Sequence, residues 1–346
     1  MKKISVLFTV LTLSFSILYA AASNDLDSSL PLLQAKTRTT AQTRQVWDLF
    51  SSSKNPNTVF AAGASLVRLP PPSVYETHLL NLLIKNSDTL KKIFSAVILT
   101  SMGVSRPELS SLLQNAVSSQ DRAVRAYAAA AYTILNPQTD IYQNEVVNLY
   151  IYDPAFAQRA MNLISSNEKQ TFKRLKNASV HADAQIRAAA AAWLGDLQQK
   201  DAAKHLLKMA KTELDRSAAS AVANALAKNK QWTLEETAKG LKTSYTSPAA
   251  TTYALALGFM TGNAVTFIQE GLKSPKADVR INSARAASYM AGVLASENSF
   301  SYTQDKAFDV SLLKSLIPQL TALAKKDQDS VKVYADGALK QIAKLR

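Results

Sequence analysis

Lysine is the residue whose spacing in this 346-residue chain most suggests a binding device. Lys169, Lys173 and Lys176 fall three or four residues apart, as do Lys200, Lys204, Lys208 and Lys211, with Lys239 and Lys242 following. On a helix that spacing gathers ammonium groups into one stripe. Stripes on neighbouring helices about 10 Å apart would merge into a face able to hold phosphate, sulfate or carboxylate groups. The competing reading is a solvated exterior that keeps the protein soluble.

A second set recurs at longer range. Arg125, Arg187, Arg280 and Lys332 share one position relative to a repeating apolar residue, and Tyr127 and Tyr334 lie two residues beyond their cations. Guanidinium and phenol groups alternating along a groove suit peptide or polymer recognition. Each cation could instead bond helix-end carbonyls, or the Asp four residues before it where one is present.

Reaction chemistry is much less visible. His78, His181 and His205 stand far apart with no HExxH spacing, and surface or capping roles are expected of them. No phosphate-cradling glycine motif occurs. Glu235 and Glu236 are adjacent and so point to different sides of a helix. Cysteine is absent, which excludes disulfides, thiolate metal sites and thiol nucleophiles. The expectation is a non-enzymatic protein with no catalytic residue, metal or cofactor.

The elements that must position these side chains are announced by a period. Apolar or small anchors stand at Val59, Ile93, Val124, Phe156, Ile186, Ala218, Ala249, Val279 and Val331, at intervals of 34, 31, 32, 30, 32, 31, 30 and 52 residues. Four and seven residues on, the side chain is usually small or apolar: Ala128 and Ala131, Ala160 and Leu163, Ala190 and Trp193, Val222 and Ala225, Ala335 and Ala338. That is one face of a helix, repeated about nine times, and predicts an all-α, α-α superhelix of two-helix units. Asp121, Asp153, Asp183 and Asp215, each three residues before an anchor, fit N-caps of the second helices.

Leading helices are expected at 76–85, 108–117, 142–151, 168–178, 201–212, 234–242, 264–272 and 312–325, with Pro318 kinking the last. Pro70-Pro71-Pro72 predicts a stiff joint. The long final interval predicts an insertion at 295–309 carrying Phe300, Tyr302 and Phe308, projecting as a loop on a binding face. Residues 30–50 are expected to supply an irregular leading helix, best formed over 45–50, preceded by a flexible tail. The organisation expected is signal peptide 1–22, tail and cap 23–44, and repeats over 45–346.

Lys2 and Lys3 precede an apolar run from Ile4 to Leu18 and then Ala20-Ala21-Ala22, the pattern of a cleaved secretory signal. Periplasmic location is the first expectation and secretion the second, with no transmembrane segment left after cleavage. Without the two signal lysines, the 40 basic side chains become 38 against 26 acidic ones, a balance of +12. The excess gathers in residues 166–245, which favours acidic partners there.

A second helix opening with Asp, then Val or Ile, then Arg, then alanines resembles the HEAT-like repeat family. The residues are Asp121, Val124, Arg125 and Ala128; Asp183, Ile186, Arg187 and Ala190; Asp278, Val279, Arg280 and Ala286; and Asp329, Val331, Lys332 and Ala335. The short interval is most similar to the bacterial subgroup first noted in bilin lyases. At Ala157, Ala219 and Ala250 the Arg is missing. The resemblance implies a right-handed solenoid but no single activity, because these repeats are a shape to which many functions attach. The expected function is an exported scaffold gripping a protein partner. The alternative is a binder of anionic polymers or lipid head groups through the leading-helix lysines.

Overall fold

The computed structural model describes residues 24–296 and 305–345, and all of their regular structure is helical. Segment 1–22, Phe300 and Tyr302 lie outside those residues. The chain divides into two compact units, one ending at Arg174 and the other beginning at Leu175.

The first unit holds α1 (Asn24–Leu33), α2 (Thr40–Ser52), α3 (Pro56–Arg68), α4 (Glu76–Lys85), α5 (Thr89–Ser101), α6 (Pro107–Ala116), α7 (Arg122–Leu135), α8 (Gln143–Leu149) and α9 (Pro154–Ile164). Helix α10 (Glu168–Ala178) contains the point of division. The second unit continues with α11 (Ala184–Asp196), α12 (Lys200–Thr212), α13 (Arg216–Lys228), α14 (Lys230–Lys239), α15 (Pro248–Phe259), α16 (Val265–Leu272), α17 (Ala277–Ala295), α18 (Lys306–Lys314), α19 (Ile317–Lys326) and α20 (Asp329–Ile342). Among the described residues nine leading-and-second-helix pairs follow one another along the chain, from α2–α3 to α19–α20, each carrying its anchor on the second helix. Helices α1 and α18 stand outside the pairing.

Second helices pack side by side: α3, α5, α7 and α9 in the first unit, and α11, α13, α15, α17 and α20 in the second. Each unit is therefore a stack of helix pairs, an α-α solenoid. Within a unit, an inner second helix such as α7 or α13 lies between two neighbours as well as against its leading helix, so nearly every side must be small or apolar. All nine anchors are buried. So are Ala188, Ala189, Ala190 and Ala191 on α11 and Ala223, Ala225 and Ala227 on α13. A Cβ on Gly195 would stand 2.7 Å from that of Ala225, so α11 and α13 meet where one of them has no side chain.

Local signals set the helix starts. Asp121, Asp153, Asp183 and Asp215 each accept a backbone N–H of the first turn, and Asp88 does the same for α5. Proline opens α3, α6, α9 and α15, where its missing N–H is not needed. Asp278 departs from this role, since Lys276 is the N-cap and the Asp278 carboxylate accepts from Tyr245 N–H instead.

Four expectations are corrected. Pro318 does not kink a helix spanning 312–325; it occupies the first turn of α19, leaving α18 as a separate helix. The backbone is helical from Asn24, inside the expected tail, and a Thr39–Gln42 capping box starts α2 as a distinct helix. Leu163 is exposed because α9 turns Met161 and Ile164 inward. Tyr127, expected to line a binding groove, is 1% exposed.

Tyr127 is covered because the second helices of the first unit curl until α9 touches α3. Phe60, Phe94 and Phe156 close around it, with ring centroids 6.0, 5.4 and 6.3 Å from its own. Arg159 reaches from α9 to the Ser101 carbonyl at 2.8 Å. The Tyr127 hydroxyl lies 3.5 Å from Asp153 Oδ2, and Asp153 is also almost wholly buried. Burial raises the Asp153 carboxyl above its usual range, against the Phe156 amide and Arg68, which favour its charged form.

A raised carboxyl pKa contributes stability below the unfolded value, about 3.9, and that contribution is lost as pH rises through the folded value. Asp153→Asn keeps an acceptor for the Phe156 amide while removing the buried charge. Unfolding followed by circular dichroism should show this variant at least as stable as the parent at pH 7, with its relative advantage shrinking on acidification. A loss above about 1 kcal/mol at pH 7 would mean that the charge itself holds the cluster together.

Candidate functional site

The recurring arginines act at the loops between leading and second helices. Arg125 donates Nη1 to the carbonyls of Ser119 and Gln120, Arg187 to those of His181 and Ala182, and Arg280 to those of Ser274 and Pro275. In every case the carbonyls stand six and five residues earlier, so one guanidinium satisfies the loop that its own helix follows. The opposite side of each guanidinium faces an acid of the next repeat.

Arg187 holds Glu213 in a two-point pair with both distances at 2.8 Å. Arg280 holds Asp327 at 2.6 and 2.8 Å. Arg125 approaches Glu145 at 3.6 Å. Glu213 and Asp327 occupy the same place, the residue that ends the next leading helix. The guanidinium of Arg280 lowers the Asp327 carboxyl. Burial pushes Glu213 up, but Arg187 and the amides of Leu214 and Asp215 more than reverse it, so it too titrates low.

Lys332 pairs with Asp329, 3.5 Å away on its own helix. Tyr334 is half-buried and accepts from Arg285 Nη2 at 2.6 Å, while Arg285 also donates to the Tyr245 carbonyl. The Arg285 guanidinium lies 4.4 Å from the Tyr334 ring centre and 5.7 Å from that of Tyr245. Arg285 carries no repeat signal, and sequence reasoning passed over it. Phe308, from the expected insertion loop, sits on α18 and is exposed.

All nine lysines of the expected basic face are exposed. Helices α12 and α14 touch, which sets Lys200, Lys204, Lys208 and Lys211 on one helix beside Lys239 on another. Lys242 follows in the short 3-10 turn Gly240–Lys242 after α14. Asp201 neutralises Lys204 at 3.7 Å and Glu236 neutralises Lys239 at 2.6 Å, weak pairs at such exposure. Lys169, Lys173 and Lys176 lie along α10.

A pocket of about 530 Å³ opens at the loop edge between the α10–α11 and α12–α13 pairs. Ser179, His181, His205, Lys208, Met209 and Thr212 line it, with the Arg187–Glu213 pair in its wall. Ser179 Oγ and His205 Nε2 are 2.7 Å apart, and His181 Nδ1 accepts the Asp183 amide. Burial, with Lys176 and Lys208 nearby, lowers the His205 pKa. Two histidines distant in sequence thus share a pocket, a meeting that no local spacing announces. Among the described residues, no group of His, Asp and Glu is arranged to hold a metal ion.

No protein-family model and no curated protein matches the sequence. Solved structures resemble it at the level of stacked helices. Kap121p bound to Pho4p aligns with 98% of this chain at 11% identity and a TM-score of 0.37, and this chain spans about half, 46%, of that protein. YibA of E. coli aligns with 93% of this chain and 98% of its own at 14% identity and a TM-score of 0.34. Neither likeness is close enough to carry a function or a site.

The arginine clasps differ in strength, and that difference is measurable. Glu213 is 6% exposed, so Arg187→Ala leaves a buried carboxylate unpaired and should cost about 2–3 kcal/mol in urea unfolding. Arg125→Ala breaks a longer and more open pair and should cost under about 1 kcal/mol. Equal losses would show that the loop carbonyls, common to both sites, carry the stabilisation instead.

Proposed function

We propose that this protein is an exported, non-enzymatic scaffold whose stacked helix pairs bind a protein partner. The observation that supports it most is the preformed surface of the second unit. Loop-edge side chains that are apolar yet exposed, Val180 and Leu214, stand on a backbone held in place by the Arg187–Glu213 pair and capped helices. A surface ordered before binding loses little conformational entropy on binding. The first unit offers less of an inner groove, since Phe60, Tyr127 and Phe156 fill it.

Export rests on the signal-like pattern of residues 1–22. No helix among the described residues is long and apolar enough to cross a membrane. Polyanion binding is kept as a second reading because Lys200, Lys204, Lys208 and Lys211 form an exposed stripe on α12.

Crosslinking in the native envelope, followed by identification of the captured protein, tests the scaffold reading; capture of nucleic acid or glycan alone would overturn it. Affinity for a polyanion should fall steeply between about 50 and about 200 mM salt, and reversing Lys204, Lys208 and Lys211 to Glu should abolish it. A partner held by apolar contacts should change far less over the same range. Mass spectrometry of exported protein should find a new N-terminus near Ser23, and intact Met1 there would rule out cleavage.

A further inference from the structure

The pocket beside His205 narrows the partner's chemistry. We propose that it docks an acidic peptide segment, seating one aliphatic side chain between Val180 and Leu214 and holding flanking carboxylates on Lys208 and Lys211. The proposal deepens the scaffold reading and rests on it.

Three observations converge. Val180 and Leu214 are 76% and 77% exposed, and each lies two residues past the end of its leading helix. Consecutive repeats therefore present an aliphatic side chain at the same place, both at the edge of one pocket. An extended segment crossing from loop to loop would meet both.

The charge around this edge is one-sided. Lys208 lines the pocket, the charges of Lys176 and Lys208 both act on His205, and Lys211 follows Lys208 by three residues on α12. Glu213 is the only carboxylate among the lining residues, and Arg187 with the amides of Leu214 and Asp215 already engages it. Nearby Asp183 and Asp215 accept the first amides of their own helices. A carboxylate entering here meets Lys208 and Lys211, while the single carboxylate of the lining is held by Arg187. A nucleic acid or glycan would satisfy the lysines but leave the exposed Val180 and Leu214 without apolar contact. The observations therefore favour a peptide that carries both kinds of group.

The test is selection from a displayed random dodecapeptide library on the full mature chain, followed by fluorescence anisotropy with synthetic copies of the enriched peptides. Enriched sequences should hold an aliphatic residue flanked by Asp or Glu. Lys208→Glu and Leu214→Ala should each weaken their binding about tenfold or more, while thermal unfolding stays unchanged because both side chains are exposed. Neutral or basic winners, no enrichment, or equal binding by a single-stranded oligonucleotide of matched charge would overturn the proposal. Peptides that bind equally to parent and variants would also overturn this pocket, yet leave the scaffold reading standing. Failure of that broader reading shows separately, in the crosslinking experiment.

Discussion

Close contact between successive second helices is the constraint on which the rest of this structure depends. A helix pair of this length cannot cover its own apolar surface, so second helices must be sheltered by their neighbours within a stack. With neighbours on both sides the helix has room mostly for small residues there, which is why alanine dominates α7 and α13 and why Gly195 meets Ala225. Where a larger ring stands between second helices a glycine of the neighbour makes room, as Gly63 does for Phe94 and Gly258 for Tyr289.

Apolar contact alone leaves helices free to slide, and polar groups at the loop edge restrict that freedom. Arg187 and Arg280 each tie their own loop to the end of the next leading helix through a carboxylate. The second case is the more instructive. The anchor interval there is 52 residues instead of 30 to 34, yet Asp327 arrives where Glu213 stands one clasp earlier. Helix α18 rests against α17 while α17 and α20 still pack side by side. Asn229 serves a related purpose between repeats, donating to the Gly195 and Ala225 carbonyls from a fully buried position.

The two units use the same repeat to different effect. In the first, tight curvature brings α9 back to α3 and converts the inner face into an aromatic core around Tyr127. In the second, the informative surface is the loop edge, where a leading helix ends, an aliphatic side chain protrudes and an arginine clasp holds the backbone below it. Binding chemistry placed on such loops inherits the rigidity of the stack beneath.

Periodicity, capping aspartates and helix-opening prolines are local signals, each visible within a few residues. From them the nine helix pairs, the buried anchors and most leading helices could be read directly. Where a local cue was overlooked, as with the Thr39–Gln42 box and the helix-opening position of Pro318, the element boundaries shifted. Local pattern also determined that Lys200, Lys204, Lys208 and Lys211 share one exposed stripe. Tertiary structure alone decided that Tyr127 is enclosed, that Arg280 finds Asp327 across an insertion, and that His181 and His205 border one pocket. The reason is geometric: spacing along the chain specifies which face of a helix a residue occupies, whereas the curvature of the stack determines what that face meets.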